Sequence, residues 1–311
     1  MKKFPLAFSI LFAIALFTSA CNTQEPIAEK EEKLLITTSL YSIQFFTSEI
    51  VQDKAEVVNL TPSGVEPHDY EPTPRDIERM QDSDLLVVNG NLEPWLADME
   101  SSLQEKGVRF IILTKNMDLL EESSEHEEEE ERHNEETKDP HVWLDPMLAK
   151  QMVAKITLEL SSKDPENAEF YQINGQALEN RLTILDSEFS SQLQACAQNT
   201  FVTSHAAFAY LANRYGLNQL PIAGLSPDIE PSLLEVAQIV DFVKANDVKV
   251  VFFESLVSPK LSETIAEEVG AETLVLNPIE GLSEADIMAG KDYFTEMEQN
   301  LINLKIALEC R

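Results

Sequence analysis

From Pro165 to about Cys196 the chain runs through roughly thirty residues with a single glycine, Gly175, and no cluster of turn formers. Phe170, Ile173, Ala177, Leu182, Leu185, Phe189 and Leu193 recur along it at helical spacing. A near-continuous helix of that length spans roughly 45 Å, which is long for a globular domain. On either side the pattern changes to short apolar runs alternating with helical ones. A helix so placed acts as a stiff spine between two halves rather than as a flexible hinge. Its heptads are not sustained, which argues against a coiled-coil dimer and for a monomer.

The half before the spine reads strand, helix, strand. Leu34–Ser39, Val57–Leu60, Leu85–Val88 and Phe110–Leu113 are strand-like, and Ile43–Val51 and Glu93–Lys106 are helical. Pro62, Pro67, Pro72 and Pro74 stiffen the loop after the second strand, and Thr73-Pro74 opens a helix to about Asp82 as cap and first residue. A helix over Met147–Ser162 leads to the spine. Beyond it the rhythm returns: strands at Phe201–Thr203, Val248–Phe253 and Thr273–Leu276, and helices at Ala206–Tyr215 (stopped by Gly216), Ser232–Asn246, Ser258–Val269 and Tyr293–Glu309. The last carries Leu301, Leu304 and Leu308 toward the core. The expected fold class is α/β: two lobes, each with a mostly parallel sheet flanked by helices, joined by one long rigid helix. The lobes are expected at residues 34–163 and 197–311, with the linking helix at 164–196. In such sheets ligands bind in loops at the strand ends, and a cleft between the lobes is the meeting place.

The N-terminus has another purpose. Lys2 and Lys3, an apolar run from Phe4 to Phe17, and Thr18-Ser19-Ala20-Cys21 form an export signal too short to span a membrane comfortably. Cys21 after small residues resembles a lipobox cysteine, lipidated to become the mature N-terminus, although Thr18 stands where leucine is usual. An ordinary signal peptide cut nearby is the alternative. Residues 22–33 then form a polar tether. Export also decides how Cys196 and Cys310 are read: an even pair in an oxidising compartment makes a disulfide the simplest assignment, stapling the C-terminal helix to the start of the second lobe.

A net charge of −32 argues against nucleic acid as a partner, because phosphate neutralisation needs clustered Lys and Arg. The acidity also raises the local concentration of cations. It is densest in residues 121–138, read as a solvated acidic loop. His126 and His133 inside it are either incidental or auxiliary sites for weak metal collection.

Three other histidines stand apart, each at a strand or loop end: His68 in Gly64-Val65-Glu66-Pro67-His68-Asp69-Tyr70, His141 in Asp139-Pro140-His141-Val142-Trp143, and His205 in Thr203-Ser204-His205-Ala206-Ala207. Glu280 follows the last strand in Asn277-Pro278-Ile279-Glu280. Taken singly, each histidine has a packing reading. Taken together, three imidazoles and a carboxylate suit a borderline cation with four tetrahedral ligands, zinc first. Glu66, Glu71, Glu254 and water compete with Glu280 for the fourth place. Asp145 and Ser204 are candidates for holding an imidazole tautomer; Trp143, Tyr70 and Phe208 are read as packing.

Over about residues 34–311, these three histidine segments make the chain resemble the metal-receptor lipoproteins of bacterial zinc and manganese ABC importers, the cluster A-I solute-binding proteins. The motif segments continue through Glu71-Pro72, Leu144-Asp145-Pro146 and Phe208. The resemblance implies two α/β lobes joined by one long helix. It also implies a non-enzymatic function: binding a divalent metal outside the membrane and passing it to an ABC permease driven by its ATPase. Manganese-type members usually place a carboxylate where this chain has His205 and an aspartate near Glu280. Three imidazoles with one glutamate therefore look zinc-type, and imidazole-rich sites favour zinc on chemical grounds too. The expectation is one Zn2+ per chain held by His68, His141, His205 and Glu280. The alternatives are a manganese or iron receptor of the same family, a metal-dependent hydrolase, and an adhesin whose metal is structural. A hydrolase needs an open coordination position and a general base, and no HExxH motif occurs.

Overall fold

Alternation of short buried strands with amphipathic helices produces the same four-stranded parallel sheet twice. The computed structural model describes residues 33–121, 138–227, 229 and 231–311. The expected leader, the Cys21 lipidation site, the tether up to residue 32 and the histidines at 126 and 133 lie outside the described residues.

The first sheet comprises β1 (Leu34–Thr38), β2 (Ala55–Asn59), β3 (Leu85–Val88) and β4 (Arg109–Ile112), in the order β2-β1-β3-β4. All pairings are parallel, with Ile36 opposite both Val57 and Leu85, and Leu85 opposite Arg109. Every residue of β3 is buried, as an internal strand covered on both faces requires. The crossovers are α1 (Tyr41–Val51), α2 (Pro74–Asp82) and α3 (Leu96–Glu105). Thr73 caps α2 in a reciprocal box with Asp76, and Pro74 occupies the first turn.

After a 3-10 turn at Val142–Leu144 come α4 (Pro146–Lys163), a second 3-10 turn at Pro165–Asn167, and α5 (Ala168–Gln192). The continuous helix is therefore shorter than the expected 164–196. Asp164 breaks the helical path, and its carboxylate accepts hydrogen bonds from the Asn167 amide and the Tyr171 hydroxyl. At 25 residues α5 spans about 38 Å. Its buried stripe is Tyr171, Gly175, Leu178, Leu182, Leu185 and Phe189, continuing to Leu193 beyond its end. Ile173 and Ala177, expected in that stripe, fall on the opposite face and are exposed. Gly175 marks where α4 and α5 touch, because a Cβ there would collide with the Thr157 hydroxyl and methyl.

The second sheet comprises β5 (Thr200–Thr203), β6 (Asn218–Pro221), β7 (Val250–Phe253) and β8 (Glu272–Val275), in the order β6-β5-β7-β8 and again all parallel. Its helices are α6 (Ala209–Tyr215), α7 (Leu233–Ala245), α8 (Lys260–Val269), α9 (Glu284–Met288) and α10 (Tyr293–Ala307). α6 starts three residues later than expected. The His205 carbonyl, which a helix from Ala206 would use for its first bond, instead accepts from Thr203 Oγ1 and Gln219 Nε2. Gly216 ends α6 in the left-handed region, the conformation that made it a stop signal.

Among the described residues the largest apolar cluster joins side chains from β1, α1, α4, α5, α6 and α10, among them Ile36, Phe46, Ile156, Leu182, Leu211 and Tyr293. The described residues between 33 and 311 accordingly pack as one compact unit. The sulfurs of Cys196 and Cys310 lie within bonding distance of each other, at the start of the second half and the end of α10. Among the described residues no helix is long and apolar enough to cross a membrane.

Candidate metal centre

His68 lies in the proline-rich loop after β2, His141 just before the 3-10 turn at 142–144, His205 two residues past β5, and Glu280 past β8. The structure brings these four together, each offering one donor atom, all within 4.8 Å of one another. His68 Nε2 is 3.2 Å from His141 Nε2 and 3.3 Å from Glu280 Oε1. His141 Nε2 is 3.1 Å from Glu280 Oε1, and His205 Nε2 is 3.4 Å from His141 Nε2 and 3.6 Å from Glu280 Oε1. Tetrahedral zinc with bonds of about 2.0–2.1 Å requires donor separations of roughly 3.3–3.4 Å. These five edges bracket that value.

The tautomers are set from behind. The Nδ1 of His141 lies 2.8 Å from Asp139 Oδ1, and that of His205 lies 2.6 Å from Glu254 Oε1. A carboxylate there accepts an Nδ1–H proton, so each ring turns a bare Nε2 lone pair toward the carboxylate of Glu280. Lone pairs facing one another at these distances repel unless a cation or shared protons lie between them. Glu280 Oε2 is buried without a hydrogen-bond partner among the described residues, so the second carboxylate oxygen is also free to face a cation. Three nitrogens and a carboxylate fit zinc better than an oxygen-preferring ion such as manganese.

Electrostatics follow from this packing. Burial disfavours protonation of His141, but the carboxylates of Asp139 and Glu280 outweigh it and raise its pKa above the ordinary imidazole value. His205 is raised further, burial again being overcome by Glu254 and Glu280. Burial opposes the charge on Glu280, yet the three histidines hold its carboxyl well below the usual range. Glu66 behaves oppositely: burial, then the charge of Glu280, push it up to about 9.

The expected tautomer holders need correction. Asp145 instead caps α4 through the amides of Met147 and Leu148 and pairs with Arg214. Ser204 acts one step removed, its hydroxyl bonding Glu254 rather than an imidazole. Sequence reasoning missed Asp139 as a positioning group and placed Glu254 only among rivals for the fourth ligand; Glu254 lies behind His205. Glu66 receives the His68 amide hydrogen, and Glu71 is exposed; neither belongs to the donor cluster. Trp143 and Phe208 are buried, and Trp143 Nε1 donates to the Pro278 carbonyl. Tyr70 donates its hydroxyl hydrogen to Asp76.

Two matching parallel sheets bridged by a long helix, with a buried nitrogen-rich donor cluster at their strand ends, define a solute-binding receptor of the metal-binding kind. Residues 36–307 match the family described as ZnuA, zinc-uptake complex component A, periplasmic. The chain belongs to that family. It is 43% identical to the high-affinity zinc uptake system protein ZnuA of Bacillus subtilis, over 97% of this chain and 98% of that one. It is 40% identical to the zinc-binding lipoprotein AdcA of Streptococcus pneumoniae over 98% of its own length, but spans only 61% of that longer protein. The crystal structure of the zinc-bound ZnuA-like domain of that AdcA superposes with a TM-score of 0.77 at 39% identity, covering 89% of this chain and 100% of the domain.

Proposed function

We propose that this chain is an extracytoplasmic, high-affinity zinc receptor that delivers its ion to an ABC importer. The observation that carries the reading is the meeting of three imidazole nitrogens and one carboxylate within 4.8 Å of one another, with a carboxylate behind two of the rings. Zinc is the cargo; His68, His141, His205 and Glu280 are its ligands. Four protein donors complete a tetrahedral site, the arrangement of holding sites rather than of hydrolytic ones, which keep a position for water. Membership of the zinc-uptake family and the likeness to a zinc-bound relative support the same reading.

The partners are a permease and its ATPase. A lipid on Cys21 holds the receptor at the outer face of the membrane, and the lobes comprise 34–163 and 197–311. Zinc binding displaces protons from the imidazoles, and release depends on local movement of the ligand loops with the long helix as a fixed strut. A strain lacking this chain tests the function. Growth in zinc-depleted medium should return with the wild-type protein or with added zinc, and should not return with His141→Ala. Rescue by His141→Ala equal to wild type would refute the reading.

A further inference from the structure

Glu280 follows the last strand of the second sheet, yet the turn that carries it is bonded to the first half of the molecule. Trp143 Nε1 donates to the Pro278 carbonyl at 2.7 Å, and Ser42 Oγ to the Ile279 carbonyl at 2.5 Å. The Tyr41 amide donates to the Glu280 carbonyl at 3.2 Å and the Gly64 amide to the Leu282 carbonyl at 3.1 Å. Tyr41 and Ser42 lie in the first turn of α1, where backbone N–H groups lack intrahelical acceptors, so the turn completes that helix end. Ile279, between these anchors, has φ +56°, a left-handed conformation that a β-branched residue keeps only where its surroundings impose it.

The imposing group on the other side is Asn277. Its Oδ1 accepts the Ile279 amide hydrogen at 2.9 Å, and its Nδ2 donates to Glu296 Oε2 at 2.8 Å. Asn300 brackets it, accepting from the Asn277 amide at 2.8 Å and donating to its carbonyl at 2.7 Å. Asn277, Glu296, Asn300 and Ile279 are all buried. His205, by contrast, is fixed within the second half: its carbonyl accepts from Thr203 Oγ1 and Gln219 Nε2, and its ring Nδ1–H donates to Glu254.

We propose that Ser42 and Asn277 are positioning residues for Glu280. Together they hold Ile279 in its strained conformation, aim the Glu280 carboxylate at the imidazoles and tie it to the half that carries His68 and His141. This rests on the zinc-receptor reading. The ion is therefore retained by a first-half triad of ligands, with His205 as the second half's contribution.

The test uses the full chain loaded with one equivalent of zinc, followed during transfer to excess chelator. Ser42→Ala and Asn277→Ala should each speed zinc loss about tenfold, the size expected when an outer partner of a ligand is removed. In a Glu280→Gln background the same substitutions should change the rate by less than about twofold, since residues acting through one ligand are not additive. Equal acceleration in both backgrounds would assign Ser42 and Asn277 a merely structural role and overturn the proposal, as would no acceleration in either. If Asn277→Ala does not fold, the Ser42→Ala pair decides alone. Wild-type zinc loss from Glu280→Gln itself would instead overturn the ligand assignment.

Discussion

Asp139 and Glu254 each accept a hydrogen bond from the Nδ1–H of a neighbouring imidazole, and this fixes which nitrogen of His141 and of His205 faces the cluster. The pairs are almost fully buried, so loss of either carboxylate frees a ring to rotate and leaves a buried donor unpaired. Asp139→Ala and Glu254→Ala should each weaken zinc binding about 10–100-fold in a chelator competition, although neither residue touches the ion. Unchanged affinity in both would mean that the rings are oriented by packing alone. These two roles were hidden in the sequence because acidic residues are abundant: the chain has 55 Asp and Glu, and none announces which one stands behind a ring. The three histidines were legible because each sits in a distinctive segment at a strand or loop end.

At the scale of elements, α5 ties the halves together through one face, and the Cys196–Cys310 contact ties its exit to the end of α10. The two cysteines are 114 residues apart, so linking them removes substantial freedom from the unfolded chain. We expect no free thiol in the denatured, non-reduced mature protein, and Cys196→Ser should cost about 2–5 kcal/mol in denaturant unfolding. Two titratable thiols in the oxidised chain would refute the link. β3, Leu-Leu-Val-Val, was readable because an internal parallel strand is apolar throughout. β6 was not: Asn-Gln-Leu-Pro has one aliphatic residue and a proline, tolerable only because it lies at the edge of its sheet. α9, five residues long, is too short for periodicity to show. The delayed start of α6 goes with the capture of the His205 carbonyl by Thr203 and by the distant Gln219, which no local pattern carries.

For the whole molecule, the buried cluster couples zinc, protons and stability. The raised pKa values of His141 and His205 give the metal-free protein stability that is complete below the unfolded imidazole value of about 6.5 and lost as pH rises through the folded values. Glu280 is depressed, so its contribution is present above about 4.3 and lost as pH falls through its folded value. The metal-free protein should therefore be most stable between these limits. Zinc needs neutral imidazoles, so its stabilisation should grow with pH across the raised histidine values. A zinc-induced rise in Tm on the order of 10 °C at pH 8 should shrink toward zero near pH 5, and a shift independent of pH would contradict imidazole ligation. The most direct measurement is anomalous diffraction at the zinc absorption edge from crystals of the zinc-loaded chain. The account predicts one dominant peak about 2.0–2.2 Å from His68 Nε2, His141 Nε2, His205 Nε2 and a Glu280 oxygen. A dominant peak elsewhere, or one that these side chains do not reach, would contradict it.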